Sequence, residues 1–244
     1  KQRRDDCKVG GDRTGMMSSE EIREGQASFY GGLYERHGSG VDAVASARPE
    51  YKAARYDRLC RVFGSDPQFS MHDVGFGVGH LREYVAQTFP DRDVEWSGSE
   101  VTPQFVEHVL NDDPLASVYL RDLADKPSNT QYDYVILAGT FYHLAGSNEL
   151  EFMDHMERLV TNCWHMCRRG LAFNLVTDAV DYRIDDLFYP DIGDMLRVVR
   201  QLTRFFEIDH ATPLFEYTVR LYSQDWLAEK YPEEAFDRYL NRLG

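Results

Sequence analysis

MHDVGFGVGH, residues Met71 to His80, is the stretch that decides the fold. An apolar approach reaches an acid at Asp73, then glycines at Gly75, Gly77 and Gly79, and a helical pattern, LREYVAQTF, begins at Leu81. A strand that runs through a glycine turn into a helix is the opening unit of an open α/β sheet. The same texture continues on the C-terminal side. VEWSGSE is followed by PQFVEHVL, SVYLRD comes next, YDYVILAG is followed by a helix over Glu149 to Arg168, and LAFNLVTD is followed by DMLRVVRQLT. Such alternation predicts a mainly parallel sheet with helices on both faces. FFEIDHA and LFEYTVRLY, separated by only two residues, have too little chain between them for a parallel crossover and should pair antiparallel.

On the N-terminal side, Ser18 and Glu21 form a capping-box pattern that starts a helix ending near Gly38. A second helix has Pro49 near its first turn and Gly64 past its end. The expected organisation is a tail or appended remnant over residues 1–17 and a helical lid over 18–65. A core over 66–223 and a helical extension over 224–244 follow. Met16 and Met17 are candidate natural starts.

The 244 residues carry a formal charge of −14 and no dense basic patch, which disfavours a nucleic-acid partner held through its phosphates. No apolar run approaches the roughly 18 residues of a membrane span. Four cysteines in a chain of this length suggest a reducing compartment, and a cytoplasmic location is expected. Cys163 and Cys167, one turn apart on the expected helix, invite a metal reading. His165 would point away from both sulfurs, so buried small hydrophobes are the preferred reading and no metal is assigned.

The glycine spacing excludes two ligand classes. A dinucleotide turn needs glycine at the first, third and sixth positions, but counting from Gly75 the sixth is His80. The phosphate loop ending in Gly-Lys-Ser/Thr is absent as well. Asp73, two residues before Gly75, suits a ligand that carries positive charge. Glu100 ends the second strand, where an acid meets ribose hydroxyls. Asp122, followed by Leu123, offers an acceptor for an exocyclic amine beside an apolar surface for a ring.

Together these motifs resemble those of the class I S-adenosylmethionine-dependent methyltransferases, over about Phe69 to Tyr222. HDVGFGVGH is similar to their first motif, SGSE to their acidic second-strand end, YLRD to their adenine-side acid and YDYVILAGTFYHL to their fourth-strand motif. The resemblance implies a Rossmann-like, seven-stranded, mostly parallel sheet with an antiparallel last strand and an N-terminal helical lid. It implies S-adenosylmethionine as cofactor and S-adenosylhomocysteine as product. Cofactor-binding residues would be Tyr30, Arg55, Asp73, Gly75, Gly77, Gly79, Glu100, Asp122, Leu123, Ala138 and Phe141. A narrower likeness, carried by GLAFNLVTDAVDYRIDDLFYPD and LTRFFEIDHATPLFEYTVRLY, is to a bacterial subgroup associated with polysaccharide and secondary-metabolite pathways. There the Arg-aromatic pair, Arg55-Tyr56 here, precedes the first motif. It makes Arg55 the partner of the methionyl carboxylate, since a guanidinium can meet it bidentately. The chain departs from the family at Phe76, where a small residue is usual.

Acceptor contacts should come from loops at the carboxyl ends of the strands. His143 is the expected general base, because imidazole titrates near neutrality. Asp178 and Tyr182 are expected to orient a polar acceptor. Asn174, Asp181 and Tyr142 lie in the same loops, and Tyr30 and Tyr34 can offer aromatic faces from the lid. The leading expectation is methyl transfer to a small molecule by a monomer or homodimer, with hydroxyl favoured over amine on the strength of His143. Cyclisation of the cofactor with release of methylthioadenosine, and a non-catalytic sensor or partner subunit, are the alternatives.

Overall fold

The computed structural model describes residues 16–40 and 48–240. Of the expected tail, residues 1–15 lie outside this range. The described residues form a seven-stranded sheet in the order β3-β2-β1-β4-β5-β7-β6. Its strands are β1 (Gln68–Val74), β2 (Asp93–Glu100), β3 (Ser117–Leu120), β4 (Tyr132–Leu137), β5 (Cys167–Val176), β6 (Phe206–Asp209) and β7 (Glu216–Tyr222). The first five run parallel, and β7 is antiparallel to both β5 and β6. This is the mostly parallel sheet with an antiparallel last strand expected from the sequence. β1 lies at the centre with β2 on one side and β4 on the other, so chain order reverses there. Ligands of open α/β sheets bind at such a point, outside the carboxyl ends of the strands.

Side-chain alternation splits the core into two layers. On one face Val74, Val135, Leu137, Phe173 and Val219 pack against α5 (Glu149–His165) and α6 (Ile192–Leu202). On the other, Phe69, Met71, Tyr134 and Ile136 pack against α2 (Pro49–Cys60) and α3 (His80–Thr88). A smaller cluster joins α4 (Pro103–Asp112) to the glycine turn through Phe105, Val109, Phe76 and Val78. All six residues of β4 are buried, as a central parallel strand requires.

The helix α1 (Ser19–His37) has the expected capping box between Ser18 and Glu21. It is fastened at its start by a Ser19–His155 hydrogen bond of 2.8 Å and by Met17 N donating to Glu151 at 2.7 Å. Farther along, Gly31 permits close approach to Gln104 of α4, where a Cβ would come within 3.1 Å of the amide. At the other end of the chain α7 (Gln224–Lys230) and the short α8 (Asp237–Leu240) follow the sheet. Asp66, buried, anchors α7 by accepting from Lys230 at 2.5 Å and Trp226 at 3.3 Å, besides Tyr134 and Arg169.

One expectation is corrected. α5 stops at His165 rather than Arg168, because Tyr132 N donates to Met166 O and Cys167 enters β5. Cys163 and Cys167 therefore do not share a helical face; the Cys167 thiol donates to the Cys163 carbonyl instead. Among the described residues no His, Cys, Asp or Glu group has the arrangement to hold a metal, and no helix is long and apolar enough to cross a membrane.

Candidate active site

β1 ends at Val74, and the turn that follows has Gly75, Gly77 and Gly79 at φ 74°, 58° and 88°. Side chains are strained in that region, so the alternating glycines are what allow the chain to coil before α3. The turn is held from β2: Gly75 N donates to Ser99 O at 2.8 Å, and Gly77 N donates to Glu100 Oε2 at 2.9 Å. Phe76 is accommodated because position 98 is glycine; a Cβ there would lie 2.5 Å from the Phe76 ring. Gly98 thus offsets the departure from the family pattern at Phe76.

Glu100 is buried, and its Oε1 accepts from Val101 N at 2.7 Å and Thr102 N at 3.0 Å. A carboxylate has about four acceptor positions, so three are used and about one is left. Burial raises its pKa, and the backbone donors offset part of that. Asp122 Oδ1 accepts from Ala124 N at 2.8 Å, while its Oδ2 is buried with no hydrogen-bond partner among the described residues. A lone buried acceptor is costly unless a ligand donor meets it.

Two adjoining cavities run along these strand ends. The larger, open to solvent on one side, spans about 690 Å³ between Gly75, Gly77, Glu100, Tyr30, Lys52 and Arg55, with Ala138, Tyr142 and His80 also on its walls. The smaller, about 370 Å³, is lined by Asp122, Leu123, Arg121 and His155. Both share Gln26, Gly75, Glu100, Val101 and Thr140, so the Glu100 wall lies between an Asp122 side and a Lys52–His80 side. Gln26 and Tyr30, one turn apart on α1, bring that helix over the opening.

Three of the proposed cofactor residues stand back from the cavity walls. Gly79 is the N-cap of α3. Phe141 is fully buried in the core, edge-on to Phe173. Asp73 is 1% exposed beneath the turn, and both its oxygens lack a partner among the described residues. Burial, and then the charge of Glu100, pushes its carboxyl up to about 8.

Arg55 lines the larger cavity but is already engaged. Its Nε and Nη2 donate to Glu216 at 2.9 and 2.6 Å, and its guanidinium lies 5.1 Å over the Tyr142 ring. Glu216 also accepts from Asn174 Nδ2 at 2.9 Å, and Asn174 Oδ1 accepts from Gly139 N at 2.8 Å. Asn174 Nδ2 donates to the Tyr142 hydroxyl as well. This network ties β7, β5 and α2 to the loop after β4.

The expected catalytic residues are dispersed. His143 packs at a tilt on Phe29 with ring centroids 4.2 Å apart, lies edge-on to Tyr30 at 6.0 Å, and lines neither cavity. Its Nδ1 is 3.5 Å from Asp186 Oδ2, too long for a good hydrogen bond. Burial pushes its pKa down, and Asp186 offsets part of this. Tyr182 is 62% exposed, edge-on to Phe215, and Asp178 is half-buried; neither lines the two cavities. Sequence reading missed Gln26, Lys52, His80, Glu216 and Thr140 as site residues. Lys52 carried a signal, since it lies on the same helical face as Arg55 and Tyr56 at i+3 and i+4. Glu216 carried none, because only the β5–β7 pairing brings it to Asn174 and Arg55.

No protein-family model matches the chain, and no curated protein matches it. Solved structures do. Magnesium protoporphyrin IX methyltransferase (ChlM) from Synechocystis PCC 6803 with bound SAM superposes with a TM-score of 0.59 at 15% identity, over 86% of this chain and 99% of that one. A DhpI-SAM-HEP complex gives 0.59 at 15% identity, over 84% and 99%. The N-methyltransferase NodS from Bradyrhizobium japonicum WM9, in complex with S-adenosyl-L-homocysteine, gives 0.57 at 14% identity, over 79% and 97%. The architecture of this chain, from sheet order to antiparallel last strand, is therefore the fold of the class I S-adenosylmethionine-dependent methyltransferases.

Proposed function

We propose that the protein is an S-adenosylmethionine-dependent methyltransferase with a small-molecule acceptor. One observation carries this reading: the unpartnered Asp122 Oδ2 beside Leu123 lies across the Glu100 wall from the larger cavity. That sequence of groups suits an adenine, a ribose and an amino-acid chain in turn. Asp122 accepts from the adenine amine, Leu123 packs on the ring, and Glu100 uses its remaining acceptor position on one ribose hydroxyl. The glycine turn, Ala138 and Thr140 shape the wall beside them. When bound, S-adenosylmethionine supplies a methyl group already activated by its sulfonium.

The chain's own contribution is to position the acceptor and exclude water. Tyr30 and Tyr142 line the larger cavity, and burial raises both phenols, so each is a neutral hydrogen-bonding group rather than a base. The preference for a hydroxyl acceptor rested on His143, which packs against Phe29 and Tyr30 and lines neither cavity. An amine, which can release its proton to solvent, is accordingly the better-suited nucleophile. A small acceptor suits a cavity roofed by α1.

Calorimetric titration with S-adenosylmethionine and S-adenosylhomocysteine tests the cofactor. Gly77→Val, which places a branched side chain at φ 58°, and Glu100→Ala should weaken binding while circular dichroism stays native-like. Unchanged affinity in both variants would sink the assignment. Product analysis then separates the reactions: S-adenosylhomocysteine formed only with an acceptor supports transfer, and methylthioadenosine formed without one supports cyclisation.

A further inference from the structure

Lys52 is 6% exposed, and among the described residues no carboxylate lies within ion-pair distance of it, although Glu83 acts on it from farther away. A buried ammonium without an acid is expensive. Its Nζ lies 2.5 Å from His80 Nδ1. An ammonium can only donate, so His80 Nδ1 accepts from Lys52 as a neutral imidazole that keeps its proton on Nε2. His80 is neutral at physiological pH, its pKa pushed down to about 4 by burial and then by Lys52. Of the three N–H donors on the ammonium, one is used by His80, and the side chain lines the larger cavity.

Three further facts identify what those remaining donors meet. α3 begins beside them, and its N-cap Gly79 provides no side-chain acceptor for the first-turn N–H groups. That helix end favours an anion. Lys52 and His80 line only the larger cavity, whereas Asp122 lines only the smaller, with Glu100 on the shared wall. An elongated ligand with adenine at Asp122 and ribose at Glu100 therefore directs its far end toward Lys52. Arg55, the other cation there, already gives its Nε and one Nη2 donor to Glu216, which supplies its counter-charge, whereas Lys52 has no such ion pair among the described residues.

We propose that Lys52, oriented by His80 at the start of α3, binds the carboxylate at the amino-acid end of S-adenosylmethionine; this rests on the cofactor reading above. Arg55 is then a positioning residue that holds Tyr142 and the loop after β4. Burial and then the nearby Arg55 lower the Lys52 pKa to about 8, with Glu83 offsetting part of this, and an incoming carboxylate supplies the ammonium with a close counter-charge.

The test compares S-adenosylhomocysteine with methylthioadenosine, which keeps the adenosyl sulfide and lacks the amino acid. In Lys52→Met, S-adenosylhomocysteine should bind about tenfold or more weakly, while methylthioadenosine changes by less than about twofold. A second measurement needs no variant: on the unmodified protein, the decarboxylated analogue of S-adenosylhomocysteine, which keeps its amine, should bind about tenfold or more weakly than the parent. Equal losses for both ligands in Lys52→Met, a carboxylate-specific loss confined to Arg55→Met, or equal affinity for parent and decarboxylated analogue overturns the assignment. If the unmodified protein binds neither S-adenosylhomocysteine nor methylthioadenosine, the cofactor reading itself falls. Binding with no dependence on the carboxylate removes the Lys52 assignment alone.

Discussion

Replacing Asp73 by Asn keeps the shape of the residue beneath the glycine turn and removes its ionisation. Asp73 is 1% exposed, neither oxygen has a partner among the described residues, and its carboxyl is raised from an ordinary 3.8 to about 8. Burial is the main cause and the neighbouring Glu100 the next. Between those two values the folded chain keeps a proton that the unfolded chain releases. The stabilising effect is complete below about pH 4 and is lost as pH rises through about 8. Each pH unit inside the window is worth about 1.4 kcal/mol, so stability falls by on the order of 2–3 kcal/mol between pH 5 and pH 7 through this group. Urea denaturation of both proteins at pH 5, 6, 7 and 8, followed by circular dichroism, measures it. The difference between the two cancels the other titrating groups. Asp73→Asn should gain on the unsubstituted chain as pH rises, and parallel curves would refute the argument.

Three more perturbations probe the framework of the site. His72 is buried between Ser97 and Ser99 at 2.7 and 2.8 Å, and burial, then Arg121, pushes its pKa down to about 3. The sign is opposite to that of Asp73: stability falls as pH drops from about 6.5 toward 3, by about 2 kcal/mol between pH 7 and 5, and His72→Gln should flatten that limb of the urea-denaturation profile. Gly98→Ala forces the Phe76 ring to move and should cost about 1–3 kcal/mol. Adding Phe76→Leu should restore most of the loss, and a double variant no more stable than Gly98→Ala would discount that contact. Asp66→Ala removes the ion-pair partner of Lys230, leaves Arg169 only Asp133, and releases α7, with an expected cost of about 1–3 kcal/mol. Changed Trp226 emission, once its stack on Tyr222 loosens, would report the release, and an unaltered spectrum and midpoint would deny it.

The shape of the chain was legible where signals are local. Strand–helix alternation, the capping box at Ser18 and the two-residue gap between FFEIDHA and LFEYTVRLY depend on neighbouring residues, and each is found as read. The order of glycines and acids likewise points to an adenosyl ligand, because Gly75, Glu100 and Asp122 follow successive strands whose ends a parallel sheet must align. What the sequence could not decide is which polar groups are already satisfied. Arg55 is expected to meet a carboxylate near the first motif, yet only the β5–β7 pairing brings Glu216 to take one edge of its guanidinium. His143 is expected to be a base beyond β4, yet only the docking of α1 packs Phe29 and Tyr30 against it. Lys52 became conspicuous because folding buried it with no acid within ion-pair distance among the described residues. The chain order therefore determined the strand ends and the residue types at them. Long-range packing alone determined which of those residues face the cavity with hydrogen-bonding capacity to spare, since that depends on partners far away in sequence.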